Sequence, residues 1–292
     1  MVADIASTAF RSTSRARRAK AGLVVVMAGG ALALALVPLA AISWFILSQG
    51  LSVIRLDFFT QDPPGDLSAL GGGIRNAITG TLEMTAVATL LAVPFGIVVA
   101  VFNVEVGGRV GATSRFAIDV LAALPSIVIG IFVYSLVVLA QGHFSGFAGS
   151  VALAVIMLPL IAVTTEEMLR LTPRPVAEGA RALGLSRWRS FLSIFLPTAL
   201  SGIFTGVLLA VSRAIGETAP LLFTALGNNF FTLNMNEPVQ ALPLLIYRNA
   251  LNSAFPAARD RAMGAAVVLV GIVLLFNVVG RWFVARRRPG RS

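Results

Sequence analysis

Residues 194–222 read IFLPTALSGIFTGVLLAVSRAIGETAPLL. The run is apolar and rich in small residues until Arg213, and its next charge is Glu217. A helix needs roughly 20 mostly apolar residues to cross the hydrocarbon of a bilayer, and this run supplies them. Inside a bilayer it must be helical, because only helices and closed barrels satisfy their own backbone N–H and C=O groups. Arg213 and Glu217 stand four residues apart, which puts them on one face of such a helix and within pairing reach. A charge at that depth is costly and normally faces the bundle interior or a water-filled path. Ser212 and Thr218 place hydroxyls beside the pair, and Gly216 leaves room next to it.

Five further stretches of this kind flank it, at about 21–47, 79–103, 116–139, 149–165 and 263–284. The chain has 292 residues, 57% of them hydrophobic and 12% charged. Its mean hydropathy of +0.87 is too high for a polypeptide that must cover a soluble surface with polar groups. The reading is an all-α integral membrane protein with six transmembrane helices. It divides into a basic tail over 1–20, a first helix over 21–48, a five-helix domain over 71–284 and a second basic tail over 285–292. The first helix reads as a retained span, since its apolar core exceeds the roughly 7–15 residues of a signal-peptide h-region. Several spans contain proline (Pro94, Pro125, Pro159, Pro197, Pro220), which kinks helices that have neighbours to pack against.

Seventeen Lys and Arg residues fall in the two tails and in the loops after the second and fourth spans, against five on the opposite side. Basic residues collect on the cytoplasmic side, which places both termini in the cytoplasm. The net charge of +10 therefore reads as membrane topology. Nucleic acid is excluded as a partner, because no soluble module carries a basic stripe. The absence of cysteine excludes disulfides and thiolate metal sites. The single histidine, His143, leaves little for a metal centre or a catalytic triad, so no metal site and no catalytic residue is expected. Glu83 and Asp119 read as helix-end or inter-helix partners. Residues 241–251 are apolar but too short to cross, so they lie at the outer interface or re-enter the bundle.

Between the fourth and fifth spans, Pro173 and Pro175 block helix continuation, and a new helix can start at Val176 and stop at Gly184. The segment carries Glu178-Gly179-Ala180, three residues, Gly184, nine residues, then Ile194-Phe195-Leu196-Pro197. This spacing resembles the Glu-Ala-Ala loop of ABC importer permeases, with Gly179 in place of the first alanine as the one departure. The resemblance implies a coupling helix over about 176–189, in which Glu178, Gly179, Ala180, Arg181, Leu183 and Gly184 dock on a cytoplasmic ATPase. The plainer alternative is an amphipathic linker helix on the membrane surface. The chain has no ATP site of its own, since a P-loop requires Gly-Lys-Ser/Thr and the only lysine, Lys20, is followed by Ala21.

The run SRAIGETAPL over 212–221, together with Gly72-Gly73-Ile74-Arg75 and Gly80-Thr81, resembles phosphate importer permeases of the PstA type. The likeness extends over about 71–281. It implies a type I ABC importer permease fold in the cell membrane of a prokaryote. It also implies a sister permease completing a heterodimer, a dimer of ATP-binding subunits hydrolysing ATP with Mg²⁺, and an extracytoplasmic phosphate-binding protein. On this reading the chain is a lipid-embedded transport subunit, binds no cofactor and is not an enzyme. A transport role for Arg213 and Glu217 is implied as well, with Arg75 and Asn76 as weaker candidates that otherwise merely flank a helix end.

For the Arg213–Glu217 pair two readings stand. One is a neutral ion pair that only holds helices together. In the other, the planar guanidinium fork meets phosphate or sulfate oxygens, while Glu217 steadies Arg213 and accepts the proton of hydrogen phosphate. Three alternatives stay open on the residues alone: a sulfate or molybdate permease, a secondary transporter without an ATPase, and a phosphate-sensing regulatory subunit.

Overall fold

The computed structural model describes residues 15–171, 184, 186–251 and 254–286. Among these the chain is helical, with a lone bridge between Leu226 and Val239 in place of any strand. It divides into two units, Met1–Ser48 and Gln49–Ser292. The first is the body of one helix, α1 (Arg15–Gly50). The basic residues from Arg15 to Lys20, expected in a tail, are its first turns, because nothing in that stretch breaks a helix.

The second unit holds α2 (Leu56–Thr60), α3 (Arg75–Glu105), α4 (Gly108–Ala123), α5 (Ser126–Gln141), α6 (Gly146–Arg170), α7 (Leu196–Ile215), α8 (Ala219–Thr224), α9 (Leu242–Leu251) and α10 (Pro256–Arg286). A short helix, Arg187–Ser190, and a π-helical turn, Phe191–Phe195, lead into α7. Among the described residues five helices are long and apolar enough to span a membrane, and a bent pair counted as one span makes six.

That pair corrects the third expected span. The stretch 116–139 is not one straight helix: α4 and α5 meet at 102°. Proline disfavours helical backbone in the residue before it. Leu124 accordingly takes φ −66°, ψ 135°, and Pro125 itself takes φ −57°, ψ 135°. The fifth span is corrected in the same way. Expected to reach Leu222, it stops at Ile215. Pro220 has no N–H to give and its ring collides with the carbonyl four residues back, which belongs to Gly216. Residues 216–218 leave the helix, and α8 starts beyond them.

The centre of the unit is α3 against α6. Their contacts advance in step: Met84 meets Gly149, Gly96 meets Ile161, and Asn103 meets Glu166, so the two helices run parallel. Helix α7 runs antiparallel to α6 and approaches through Gly202 and Gly206. A Cβ at Gly206 would sit 2.1 Å from Thr164 Oγ1, and one at Gly202 would sit 2.0 Å from Met168 Sδ. Small residues four apart let two backbones close to this range, where lipid provides no hydrophobic drive between helices. Ala88, Leu153, Met157, Ile161, Ala214 and Leu221 fill the resulting core.

At one end the link 226–241 crosses the bundle and satisfies its exposed backbone groups. Gly146 N–H donates to Glu237 O at 2.8 Å, and Phe147 N–H donates to Met235 O at 2.8 Å. Leu242 N–H donates to Thr81 Oγ1 at 2.8 Å. Helix α9 follows and buries Leu242, Leu244 and Leu245 against α3 and α10, as the short apolar stretch 241–251 required. At the same end the buried Arg261 donates to the carbonyls of Leu67 (2.9 Å) and Ala69 (2.7 Å), fastening the segment 62–72. Within that segment the backbone and side chain of Ser68 both donate to Asp66, which holds its carboxyl below the usual carboxylate range.

A Cβ at Gly80 would lie 2.1 Å from the Gln240 carbonyl oxygen, a backbone atom that cannot swing away. Gly80→Val should therefore destabilise the protein by ~1–3 kcal/mol, the usual cost of overpacking. It should show as a lowered Tm of the detergent-purified protein. Gly271→Ala, at a position with open space around it, should leave the Tm nearly unchanged.

Candidate functional site

Half-way along α6, beside Pro159, a cavity of about 270 Å³ opens between α4, α5, α6 and α7. Its wall is mostly apolar, but Arg213 and Asp119 both reach it. The bend at Leu124–Pro125 forms one side, with Leu124 and Ser126 in the lining. The departure of the third span from a straight helix is thus part of the site.

Arg213 sits in the last turn of α7, where a cation complements the unpaired carbonyls of a helix C-terminus. Its Nε lies 3.4 Å from Glu217 Oε1, so the expected pair forms. The pairing is loose, and it does not run along a helix face. Glu217 lies past the end of α7, in the break caused by Pro220. The two partners are unequally placed: the Glu217 side chain is 16% exposed and the Arg213 side chain 58%. A guanidinium with one long contact and more than half its surface open retains donor capacity for another acceptor.

The remaining sequence candidates spread out. Ser212 turns away from the cavity. Its hydroxyl donates to Leu208 O at 2.7 Å and accepts from Asn277 Nδ2 of α10 at 2.8 Å. Thr218 lines a separate apolar recess with Gly216, Pro243 and Tyr247. Arg75 and Asn76 stand at the far end of α3. Arg75 makes a two-pronged contact with Asp62 (Nε–Oδ1 3.1 Å, Nη2–Oδ2 2.7 Å) and lies over the Phe231 ring at 4.4 Å. Asn76 is buried and donates to Asn228 O at 2.7 Å. Both fasten links to a helix start, and neither reaches the Arg213 cavity.

Of the loop residues, Glu178, Gly179, Ala180, Arg181 and Leu183 lie outside the described residues. Gly184 is described, with φ +77°, the left-handed backbone that a glycine at a helix stop adopts.

Two residues were not singled out as site residues by the sequence. Asp119 was read as a helix-end partner, yet it is exposed on α4 and shares the cavity with Arg213. Only the Leu-Pro-Ser step at 124–126, which turns α4 away from α5, signals this. Glu166 is buried in the last turns of α6, and its carboxylate accepts from Arg115, Arg170 and Asn103. The glutamate pair 166–167 looks in the sequence like an ordinary polar helix end.

The comparisons with known proteins agree with this architecture. Residues 92–291 match the family described as binding-protein-dependent transport system inner membrane component. The chain is 41% identical over 245 residues to the phosphate transport system permease protein PstA of Haemophilus influenzae, covering 83% of this chain and 86% of that one. It is 37% identical to the PstA of Yersinia pestis, covering 93% and 92%. Among solved structures, a bacterial alginate ABC transporter in complex with its periplasmic protein superposes with a TM-score of 0.68 at 13% identity, covering 91% of this chain and 95% of that one. An inward-facing MetNI methionine ABC transporter superposes at 0.59 with 18% identity, covering 73% and 94%. The fold is thus that of ABC importer permeases, and the chain belongs to the PstA family of phosphate transport system permease proteins, within the binding-protein-dependent inner membrane components.

Proposed function

We propose that this chain is the membrane permease subunit of an ATP-driven phosphate importer and that Arg213 is its contact with the ion. The relatives' names support phosphate as the substrate. The observation that carries the site is the half-open guanidinium of Arg213, at mid-depth in the bundle, facing a cavity large enough for a small ion. Glu217 holds Arg213 when the site is empty and, still ionised, accepts the P–OH hydrogen bond when hydrogen phosphate arrives. Fully ionised sulfate gains nothing from a nearby acceptor, so this arrangement favours phosphate.

The distribution of basic residues puts both termini and the loop around 172–183 in the cytoplasm. The link 226–241 and helix α9 then face outside, where a phosphate-binding protein delivers the ion. A sister permease supplies the other half of the path. The segment about 176–189 meets a separate ATPase, which binds ATP and Mg²⁺. Nucleotide-driven closure there alternates access to the cavity between the two sides of the membrane.

Vesicles holding this chain with its ATPase, sister permease and binding protein should take up labelled phosphate when given ATP. Arg213→Gln should lower that uptake by roughly tenfold or more, the worth of a charge-assisted hydrogen bond, while the complex still assembles. Unchanged uptake would reduce Arg213 to a structural ion pair, and sulfate or molybdate uptake in place of phosphate would overturn the substrate. The lack of cysteine allows a second check. In Ser186→Cys the unique thiol should react with an impermeant maleimide from the cytoplasmic side only, and more slowly once the ATPase is bound. Reaction from outside the cell would reverse the topology.

A further inference from the structure

Where the chain leaves α6 toward residues 172–183, one carboxylate is shared by three helices. Glu166 is 1% exposed. Arg115, on α4, donates to its Oε1. Arg170, one turn further along α6, donates to the same oxygen from Nε at 3.0 Å and Nη2 at 2.8 Å. Asn103, near the end of α3, donates from Nδ2 to Oε2 at 3.1 Å. The carboxylate lies inside and the cations reach it from the surface, with the Arg115 and Arg170 side chains 37% and 57% exposed.

Stability alone does not call for this arrangement. Well-packed apolar side chains commonly hold helices as well as a buried ion pair does, since they avoid its desolvation cost. Apolar packing of that kind is present a turn away. Leu169, before the loop, and Phe191, after it, share one cluster with Ala199 and Ile203, so the two roots of the loop are already joined. The ionic knot adds what that cluster lacks, a directional tie from the loop root to α4. Nor is the knot saturated, because Asn103 Oδ1 is buried without a hydrogen-bond partner. Helix α4 then carries the connection to the site. Arg115 lies one helical turn before Asp119, which shares the cavity wall with Arg213.

We propose that Glu166 is a positioning residue for transport, transmitting displacement of the cytoplasmic loop through Arg115 and α4 to the wall of the Arg213 cavity. This rests on the reading of the chain as an ATPase-coupled permease. Such coupling is an energetic quantity. The quantity to measure is ATP hydrolysed per phosphate imported, in vesicles containing the complete complex. Uptake by the wild-type complex tests the functional reading by itself, and the variants test Glu166 against that baseline.

Glu166→Gln should raise the ATP cost per phosphate by about fivefold or more, in the range of ordinary inter-site coupling, while ATP hydrolysis itself persists. Arg115→Gln should do the same. The double variant should be no worse than Glu166→Gln alone, because both changes cut one tie. If Glu166→Gln fails to assemble, Arg115→Gln, altered at a partly exposed side chain, carries the test. An ATP-to-phosphate ratio equal to wild type in the assembled variants would overturn the proposal, as would additive losses in the double variant.

Discussion

A charge or an unpaired backbone group inside a bilayer has no water to turn to, and this chain is organised around that cost. Two groupings of ionisable side chains inside the helical bundle are held by one another or face a cavity, while Glu83 keeps a buried carboxyl oxygen without a hydrogen-bond partner. Glu166 gathers three donors from three helices. Arg213 and Glu217 face each other where α7 stops. At the opposite end, the link 226–241 and the segment 62–72 close over the helix starts through backbone hydrogen bonds and the buried Arg261. Where the backbone leaves the helix within the bundle, the break at 124–125 borders the Arg213 cavity and the break at 216–218 borders the apolar recess beside α9. Irregular backbone at that depth is tolerated only where protein or a water-filled space surrounds it.

Small residues make the close packing possible. Gly202 and Gly206 bring α7 against α6, Gly96 and Gly149 bring α3 against α6, and Gly130 lets α5 rest on Pro220 of α8. At Gly130 an added methyl group would meet the backbone of Pro220, which cannot swing aside, whereas at Gly202 and Gly149 the nearest group is a methionine side chain. The prolines have the complementary effect. Pro94 and Pro159 remain inside continuous helices, whereas Pro125 and Pro220 end them. A bundle of stiff, closely fitted pieces meeting at two proline breaks is suited to tilting about those breaks.

The sequence carried the fold well because hydrocarbon imposes one rule on every span. Apolar length alone located α3 and α6 to within a few residues, whereas α10 starts at Pro256, well before the expected 263, and the spacing of the Arg213–Glu217 pair was enough to predict their contact. It did not carry the two breaks. Pro94 and Pro125 both fall within apolar stretches, yet α3 continues through Pro94 while the chain turns at Pro125. The site was legible in part for the same reason. Arg213 announces itself as a charge in an apolar run, while Asp119 looks like a helix-end residue until the bend at Pro125 turns it toward the cavity. Ser212 illustrates the reverse error. Adjacency to Arg213 suggested a shared site, but neighbours in a helix point about 100° apart, and Ser212 bonds to Asn277 instead.

The two charged groupings differ in a way that fits their separate tasks. Glu166 is nearly sealed, its oxygens occupied by donors anchored on three helices, so it resists separation and transmits force. Arg213 has one long contact and an open face, so little is lost when its partner changes. Exchanging the two properties would defeat both tasks. A sealed arginine would demand full desolvation and rupture of its ion pair for each ion bound. An open glutamate at the loop root would let α6 slide without moving α4. The contrast between a buried, many-donor knot at one level and an open guanidinium at another suits a machine that must be rigid where it is driven and exchangeable where it binds.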